Sequence, residues 1–386
     1  MVRHSSRIEL SQSAMRHNIN FLRSILGPHT DIALVVKANA YGHGIAPILK
    51  MGEKSGIGRF AVASSHEAAE VLENASERTR VLIMGILYDE DLTWAVESEL
   101  EFYVFDLQRL EKAVTVAQKI GKPARIHLEI ETGGNRTGLA FEDLDRAVKL
   151  IKAGKKHLHL VGVCSHLAGA ETFAAHFRIA RQVEAFNRLK KRFDQRKLAP
   201  EMYHLASSAA SIAMPEVAFD MVRIGTAAYG IWPSPDVYNQ YLLRSGQREL
   251  SHTLTRVMSW KTDVMHVKTV KKDEFIGYGT SFQAYRDMRI AVMPLGYANG
   301  YPREMSNRGH VLIHGRKAPV VGSVNMNMFM ADISSIPDVQ IGDEVVLIGR
   351  QKRNSISLRS FSEFSSALNN EFVSRLPAAI PRTIVR

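Results

Sequence analysis

The sequence has very little cysteine: Cys164 is the only one among 386 residues. A lone cysteine excludes an intramolecular disulfide and a zinc site made of several cysteines, and it suits a reducing compartment. Long apolar runs are also missing, and no apolar segment follows the N-terminal residues 1–7. We therefore expect a cytoplasmic protein with no membrane span, no secretory signal and no metal centre.

Acidic residues are in the minority, because 50 Lys and Arg face 39 Asp and Glu and give a formal net charge of +11. A basic surface is one requirement for nucleic-acid binding. Here the basic residues form scattered clusters at 152–156, 188–197 and 268–272, without Gly/aromatic interleaving or zinc-finger spacing. We interpret them as solvated helix faces and loops, and we expect no nucleic-acid partner.

The composition is that of an ordinary globular protein, with 45% hydrophobic and 23% charged residues, which argues against disorder. The length exceeds what one compact core usually holds, so two domains are expected.

Residues 30–235 alternate between short apolar runs and longer amphipathic stretches, as repeated βα units do. The predicted strands are Ile32–Val36, Phe60–Ala63, Val81–Met84, Phe102–Phe105, Ile126–Ile130, Leu158–Cys164, Met202–Leu205 and Phe219–Arg223. Helices are predicted between them, for example at Ser65–Leu72, Leu107–Ile120, Phe141–Ala153 and Thr172–Arg192. Eight such units predict an α/β fold of the (β/α)₈ barrel type. A doubly wound sheet is the rival, but no Gly-rich dinucleotide motif follows the first strand.

The C-terminal part is rich in β-forming residues, beginning with 257–270 and continuing in short runs separated by turn signals such as His314-Gly315. We predict a mostly β domain over residues 237–386, with residues 1–9 pairing with it, and a barrel over residues 10–236. The junction is placed at 234–236.

Polar residues end several predicted barrel strands, where the chemistry of such barrels is located. They are Lys37, Glu129, Arg136, His166, Ser208 and Arg223. Lys37 follows an apolar predicted strand, so we expect its ammonium group to be partly desolvated. Desolvation lowers the pKa of an ammonium group, as a Schiff-base lysine requires. Taken singly, each has a simpler explanation: a snorkelling lysine, a core histidine, a helix-capping serine or a packing arginine.

Four segments of the sequence, taken together, are specific enough to indicate a protein family. They are Ala33-Leu34-Val35-Val36-Lys37-Ala38-Asn39-Ala40-Tyr41-Gly42-His43-Gly44, Met221-Val222-Arg223-Ile224-Gly225 with the following Tyr229-Gly230, Gly277-Tyr278-Gly279 with Pro294-Leu295-Gly296-Tyr297-Ala298-Asn299-Gly300, and Lys317-Ala318-Pro319-Val320-Val321-Gly322. In this order, over nearly the whole chain, they closely resemble the motifs of the alanine racemase family.

The resemblance implies an enzyme that interconverts L- and D-alanine by two-base proton transfer on a pyridoxal-phosphate aldimine, supplying D-alanine for peptidoglycan. Lys37 would carry the cofactor and act as the base on the D-side of the substrate. Tyr278 would be the base on the L-side. In the family this tyrosine comes from the partner subunit, so the resemblance implies a homodimer with shared active sites.

Further cofactor contacts follow from the resemblance. Arg223 would face the ring nitrogen, and because arginine does not give up its proton, that nitrogen would stay unprotonated. His166 and Arg223 would give the catalytic tyrosine a cationic, hydrogen-bonded neighbourhood. The expected phosphate ligands are Tyr41, Ser208, Gly225 and Thr226. Arg136 and the backbone of Met326 would bind the substrate carboxylate, with Tyr297 and Glu129 in support; the alternation Met326, Met328, Met330 is otherwise read as the apolar face of a strand.

Three positions depart from the family pattern. Many members have a carbamate-forming lysine where this chain has Glu129, and we expect this carboxylate to pair with Arg136 directly. Asn327 stands where an aspartate is usual. Ala378 lies near the position of a tyrosine that commonly touches the phosphate.

Other functions remain open at this stage. A broad-specificity racemase for lysine, arginine or serine would share the fold, but such relatives tend to have a signal peptide and a cysteine pair. A basic-amino-acid decarboxylase of the same barrel uses an acidic residue where this chain has Arg223. A non-catalytic pyridoxal-phosphate-binding relative would leave Tyr278 without a purpose.

Overall fold

The computed structural model describes residues 3–246, 254–362 and 369–386. The chain divides into two compact units. We call Ala14–Ala38 with Ile48–Thr255 the barrel unit, and Met1–Ser13, Asn39–Pro47 and Arg256–Arg386 the β unit. None of the helices in the described ranges combines the length and the apolar character needed to cross a bilayer.

The barrel unit contains eight parallel strands in the spatial order β8-β7-β6-β5-β4-β3-β2-β9. They are β2 (Asp31–Val35), β3 (Arg59–Ser64), β4 (Arg80–Ile86), β5 (Glu101–Val104), β6 (Ala124–Glu129), β7 (Leu158–Cys164), β8 (Met202–His204) and β9 (Met221–Ile224). A parallel bridge between Ser207, three residues after β8, and Arg223 of β9 joins the two ends of this order and closes the ring. The predicted (β/α)₈ barrel is therefore confirmed, and its strands are buried nearly throughout because helices cover the outside.

Twelve α-helices lie in the described ranges, and capping residues mark the ends of some of them. They are α1 (Gln12–Leu26), α2 (Lys37–Tyr41), α3 (Ile45–Lys54), α4 (Ser65–Asn74), α5 (Asp89–Glu97), α6 (Leu107–Ile120), α7 (Leu144–Ala153), α8 (His176–Gln195), α9 (Ser208–Ala213), α10 (Pro235–Ser245), α11 (Arg359–Ser362) and α12 (Asn369–Ser374). The Asp106 side chain caps α6 by accepting from the Arg109 N–H at 2.7 Å, and Gly121 ends this helix in a left-handed conformation.

The β unit is a mostly antiparallel sheet in the order β11-β12-β15-β14-β13-β16-β10-β1-β18, with β17 beside β16. Its strands are β1 (Ser6–Ser11), β10 (Met258–Asp263), β11 (His266–Val270), β12 (Met288–Met293), β13 (His310–Ile313), β14 (Arg316–Val321), β15 (Phe329–Asp332), β16 (Glu344–Gln351), β17 (Asn354–Ile356) and β18 (Arg382–Val385). The N-terminal strand β1 lies between β10 and β18. The predicted mostly β C-terminal domain is confirmed.

Two predicted elements need correction. The strand predicted from Phe219 begins only at Met221, because Phe219 has a φ of +53° and cannot continue a strand. Met326 and Met328 do not lie on a strand: β15 starts at Phe329, and both methionines are exposed. Alternating methionines alone therefore do not indicate a strand here.

Candidate active site

Lys37 lies two residues after the end of β2, at the C-terminal end of a buried barrel strand. Part of its surface is open to solvent, but the surrounding protein desolvates the ammonium and lowers the pKa of Lys37. The positive charge of Arg136 lowers this pKa further; Glu67 opposes the shift and Arg223 adds to it. A lowered pKa increases the fraction of neutral amine, which is the nucleophilic form.

The chain continues from Lys37 into an unusual turn. Ala38, Asn39, Ala40 and Tyr41 have φ values of +53°, +52°, +52° and +52°, so α2 is left-handed. Each non-glycine residue in this conformation costs roughly 1–2 kcal/mol. Lys37 is therefore placed by a strained segment that other contacts must hold.

Glu67 provides one of these contacts, and the sequence motifs did not identify it. Its carboxylate accepts the Ala38 N–H at 2.6 Å and the Ala63 N–H at 2.7 Å. The detectable signal was the capping-box spacing of Ser64 and Glu67 at the start of α4, since the Ser64 hydroxyl accepts from the Glu67 N–H. Here the glutamate side chain holds the residue after the lysine instead of closing the box.

Arg223 is buried on β9, and its terminal nitrogens are engaged by the barrel. Nη2 donates to the carbonyls of Ser165 at 2.8 Å and Leu205 at 3.1 Å, while Nη1 donates to Nδ1 of His204. The Nε–H takes part in none of the hydrogen bonds recorded among the described residues. The guanidinium is thus fixed in orientation with one donor left over.

His166 carries no charge at neutral pH. Burial lowers its pKa to about 3, and the charges of Arg223, Arg136 and Lys37 act in the same direction. The expected cationic neighbourhood must be corrected on this point, because His166 is a neutral imidazole beside three cationic side chains.

A cavity of about 60 Å³ opens beside these residues, at the C-terminal ends of β6 and β7. Its lining includes Glu129, Arg136, Thr137, Ser165 and His166. The pKa of Glu129 is raised by burial, against the effects of a Thr137 hydrogen bond and of the Arg223 and Arg136 charges. Its Oε2 has no hydrogen-bond partner, and no ion pair within 4.0 Å joins it to Arg136 among the described residues. The expected direct pairing of Glu129 with Arg136 is therefore wrong for this structure, where the two charges act on each other only through space.

The loop that carries Arg136 is fastened from two sides. Glu131 accepts the backbone N–H groups of Gly133, Gly134 at 2.6 Å and Asn135 at 2.8 Å. Gln182, buried on α8, donates to the Thr132 hydroxyl of this loop at 3.4 Å. It also contacts the segment after β7, where it donates to the His166 carbonyl and accepts the Ala168 N–H, each at 3.0 Å. Nothing in the sequence singled out Gln182, because one polar residue on a helix face has no motif.

Ser208 and Gly225 meet at the ends of β8 and β9. The buried Ser208 hydroxyl accepts the Gly225 N–H at 3.0 Å and lies 3.5 Å from the Ala227 nitrogen. Thr226 is the next residue of this loop, which the Tyr229 hydroxyl fastens to the Val35 carbonyl of β2 at 2.8 Å. The structure thus brings Ser208, Gly225 and Thr226 together in the same barrel unit as Lys37 and Arg223.

Tyr278 belongs to the β unit, where it stands at the tip of a loop between β11 and β12. Gly277 and Gly279 on either side have φ values of +81° and +72°. Below the tip, Ile276 and Phe282 are joined by a backbone hydrogen bond of 3.0 Å. The Tyr278 side chain projects into solvent and is 79% exposed.

Tyr297 and Met326 are neighbours in the β unit. Tyr297 N–H donates to the Asn325 carbonyl and Ala298 N–H to the Met326 carbonyl, each at 3.0 Å. A side chain at Gly296 would clash with this backbone, since its Cβ would stand 1.9 Å from the Asn325 oxygen. Only glycine permits this close approach.

Tyr41, also in the β unit, keeps its hydroxyl proton, because burial raises its pKa to about 12. At the departures from the family pattern, Asn327 donates to Asn299 at 3.4 Å, and the Ala378 carbonyl accepts from Arg382 at 2.9 Å.

Comparison with known proteins identifies the family. The model of the alanine racemase N-terminal domain matches residues 10–233, and that of the C-terminal domain matches residues 257–384. An alanine racemase of Leptospira interrogans is 32% identical over 99% of this chain and 96% of that protein.

Solved structures of alanine racemases superpose on this chain as well. The alanine racemase of a D-cycloserine-producing Streptomyces lavendulae superposes with a TM-score of 0.89 at 28% identity, covering 100% of this chain and 98% of that one. The alanine racemase of Bartonella henselae, solved with covalently bound pyridoxal phosphate, gives 0.83 at 25% identity, over 99% and 100% of the two chains. The chain belongs to the alanine racemase family.

Proposed function

We propose that this protein is a racemase that interconverts L-alanine and D-alanine with pyridoxal 5′-phosphate as cofactor. The observation that carries the proposal is the group formed by Lys37, Arg136, His166 and Arg223, in which the lysine pKa is lowered and one arginine N–H is left over. The family match over both parts of the chain supports the same reaction.

The residues of the barrel unit fit this cofactor by their chemistry. A lysine with a lowered pKa suits its aldehyde, and a buried arginine with an unused Nε–H suits its ring nitrogen. The hydroxyl groups of Ser208 and Thr226 suit its phosphate, with Gly225 beside Ser208 because its N–H is donated to that hydroxyl. Tyr41, as a protonated phenol, would add a further donor. When bound, the cofactor withdraws electrons from the α-carbon of the amino acid and so makes the α-hydrogen acidic.

Arg223 controls how strongly electrons are withdrawn. Arginine only donates, so a ring nitrogen that faces its Nε–H must accept and remain without a proton. The bonds to Ser165, Leu205 and His204 hold the guanidinium in place for this role. A weaker electron sink favours return of the proton to the α-carbon over decarboxylation or transamination.

Two bases move the proton. Lys37 Nζ takes the α-hydrogen from one face or returns it there, and Tyr278 Oη does the same on the opposite face. Burial and the Arg136 charge lower the pKa of Lys37, and this shift favours the neutral amine that a base requires. Arg136, held by the loop around Glu131, would bind the substrate carboxylate together with the Met326 backbone, with Tyr297 beside it.

We further propose that residues 10–236 carry the cofactor, that residues 237–386 supply Tyr278 from the partner subunit of a homodimer, and that the enzyme works in the cytoplasm to supply D-alanine for peptidoglycan. Several large apolar side chains of the β unit are exposed, and such surface is typical of interfaces. They include Phe275, Tyr278, Tyr285, Met326 and Met328.

The reaction is tested by supplying L-alanine to the protein purified with pyridoxal phosphate and measuring D-alanine by chiral chromatography. The intact protein should form D-alanine and Lys37→Ala should form none. The absence of D-alanine from the intact protein, despite cofactor absorbance that Lys37→Ala abolishes, would contradict alanine as the substrate. Serine and lysine, supplied in the same assay, would then show whether another amino acid is racemised.

A further inference from the structure

The interior of the barrel contains a continuous row of buried polar side chains that the reaction itself does not use. They are Arg59, Glu101, His127 and His204, each at most 3% exposed, and they lead to Arg223. Barrel interiors of this type are usually filled with branched apolar residues. Burying so many ionisable groups is costly unless they are paired, so the row needs an explanation.

The row runs from one end of the barrel to the other. Arg59 and Glu101 are the first residues of β3 and β5, whereas His204 ends β8 and Arg223 lies near the end of β9. Glu101 Oε2 contacts both Arg59 and Nε2 of His127, the latter at 3.0 Å. Nδ1 of His127 lies 2.8 Å from Nε2 of His204, whose Nδ1 faces Arg223.

The chemistry of the two ends fixes the direction of every bond. Arg223 can only donate, so His204 accepts at Nδ1 and carries its proton on Nε2. That proton is donated to Nδ1 of His127, which must then carry its own proton on Nε2 and donate it to Glu101. A carboxylate ends the row as an acceptor, and Arg59 balances its charge.

The protonation states agree with this direction. Burial lowers the pKa of His204, and the charge of Arg223 lowers it further, so the ring is neutral. Burial also lowers the pKa of His127, although Glu101 acts against the shift. Burial alone would raise the pKa of Glu101, but the His127 hydrogen bond and the Arg59 charge reverse this and lower it.

A glycine on a neighbouring strand leaves space for this row of side chains. Gly162 on β7 faces His127, and a Cβ at this glycine would stand 2.2 Å from the His127 Nδ1. Tyr103, two residues after Glu101, packs its ring 6.2 Å from His127 and 6.1 Å from His204 without joining the row.

We infer that Glu101, at the end of the barrel opposite to Lys37, is a positioning residue that orients Arg223 through His127 and His204. The row acts as a directional chain: the carboxylate selects one tautomer of each histidine, and only this pair of tautomers presents an acceptor to Arg223. The inference rests on the proposed function, because it takes Arg223 as the partner of the cofactor's ring nitrogen.

The first test measures the unmodified holoenzyme, labelled with ¹⁵N-histidine, by two-bond ¹H–¹⁵N correlation at neutral pH. Both His127 and His204 should show a protonated Nε2 and an unprotonated Nδ1. A proton on Nδ1 of either ring overturns the inference. This result does not depend on activity, so failure to racemise alanine would contradict the proposed function separately.

The second test compares Glu101→Gln with Tyr103→Phe, which changes a buried group on the same strand outside the row. Glu101→Gln should shift the ring nitrogen signals of His204 and lower kcat by about tenfold, with KM for alanine within about twofold. Tyr103→Phe should leave the His204 signals and kcat unchanged. Unshifted His204 signals in Glu101→Gln, or a kcat equal to that of Tyr103→Phe, would overturn the positioning role.

Discussion

At the scale of single residues, neighbouring charges and burial decide which groups near the site hold a proton. Lys37 and His166 both lose proton affinity because burial and nearby arginines disfavour their cationic forms. The same arginines act the other way on Glu129, where they favour the charged carboxylate against burial. These assignments need coordinates, since they depend on which cations stand within a few ångströms.

Glu129→Gln tests whether this carboxylate serves substrate binding. Glu129 lines the cavity with Arg136 and responds to its charge. Glu129 and Arg136 form no ion pair, but their charges act on each other across the cavity, so loss of the carboxylate should weaken the placement of Arg136 and raise KM for alanine about tenfold. Steady-state kinetics and a cofactor titration measure the effect, with Asp143→Asn, which removes a negative charge paired with Arg146, as control. Unchanged KM and cofactor affinity in Glu129→Gln would contradict this role.

His43 should make stability depend on pH. Burial lowers its pKa to about 4, while its Nδ1–H donates to the carbonyls of Ala40 and Tyr41. The unfolded chain binds a proton near pH 6.5 and the folded chain does not, so stability falls as the pH drops from about 6.5 towards 4.

Between pH 7 and 4.5 this one group should reduce the free energy of unfolding by about 2.5 kcal/mol. His43→Asn keeps an N–H donor and removes the titration. Over the same pH range, the free energy of unfolding of this variant should therefore fall by about 2.5 kcal/mol less than that of the intact protein. Urea denaturation at the two pH values measures both proteins. Equal losses in the two proteins would show that His43 titrates normally in the folded chain.

At the scale of elements, the left-handed turn α2 concentrates strain directly after Lys37, the proposed catalytic lysine. Four successive non-glycine residues have positive φ, and Glu67 holds the first peptide of the turn. Strain of this kind is stored where the surrounding structure fixes the backbone. The barrel and the turn together therefore aim Lys37, and the left-handed turn is not apparent from helix propensity, since alanine favours right-handed helices.

Ala38→Gly should raise the free energy of unfolding by up to about 1 kcal/mol, because glycine adopts a φ of +53° without the penalty of a Cβ. The matched substitution Ala69→Gly, in the middle of the right-handed helix α4, should lower it by about 1 kcal/mol. Denaturant titration compares the two variants. Destabilisation by both would argue against a strained turn.

At the scale of the whole molecule, the proposed homodimer would complete each site with Tyr278 from the partner subunit. The exposed aromatic and methionine side chains of the β unit, including Tyr278 itself, suit such an interface. An isologous dimer would contain two equivalent sites, each built from both chains.

Mixing two inactive variants tests this arrangement. In a heterodimer of Lys37→Ala and Tyr278→Phe, one site loses both bases and the other keeps both, provided that the tyrosine comes from the partner. After unfolding and refolding an equal mixture, about a quarter of the normal activity should return, as random pairing of a twofold dimer predicts. Each variant refolded alone is the control. A mixture no more active than these controls would show that each chain supplies both bases.

The barrel, the mostly β second part and the family follow from the sequence alone, and the sequence also proposes Lys37, Arg223 and Tyr278 as site residues. These rest on local information: the period of apolar residues along the chain, and short motifs whose residues are adjacent in sequence. Where local signals conflicted with backbone geometry, as at Phe219 and at Met326, the prediction was wrong.

The contacts of Glu67, Gln182 and Glu101, and the neutral state of His166, become apparent only in the folded chain. Each of these depends on groups far apart in the chain, such as Glu67 with Ala38 or Glu101 with His127. A hydrogen bond or a pKa shift is set by distance and burial in space, and neither quantity is encoded in the spacing of residues along a strand.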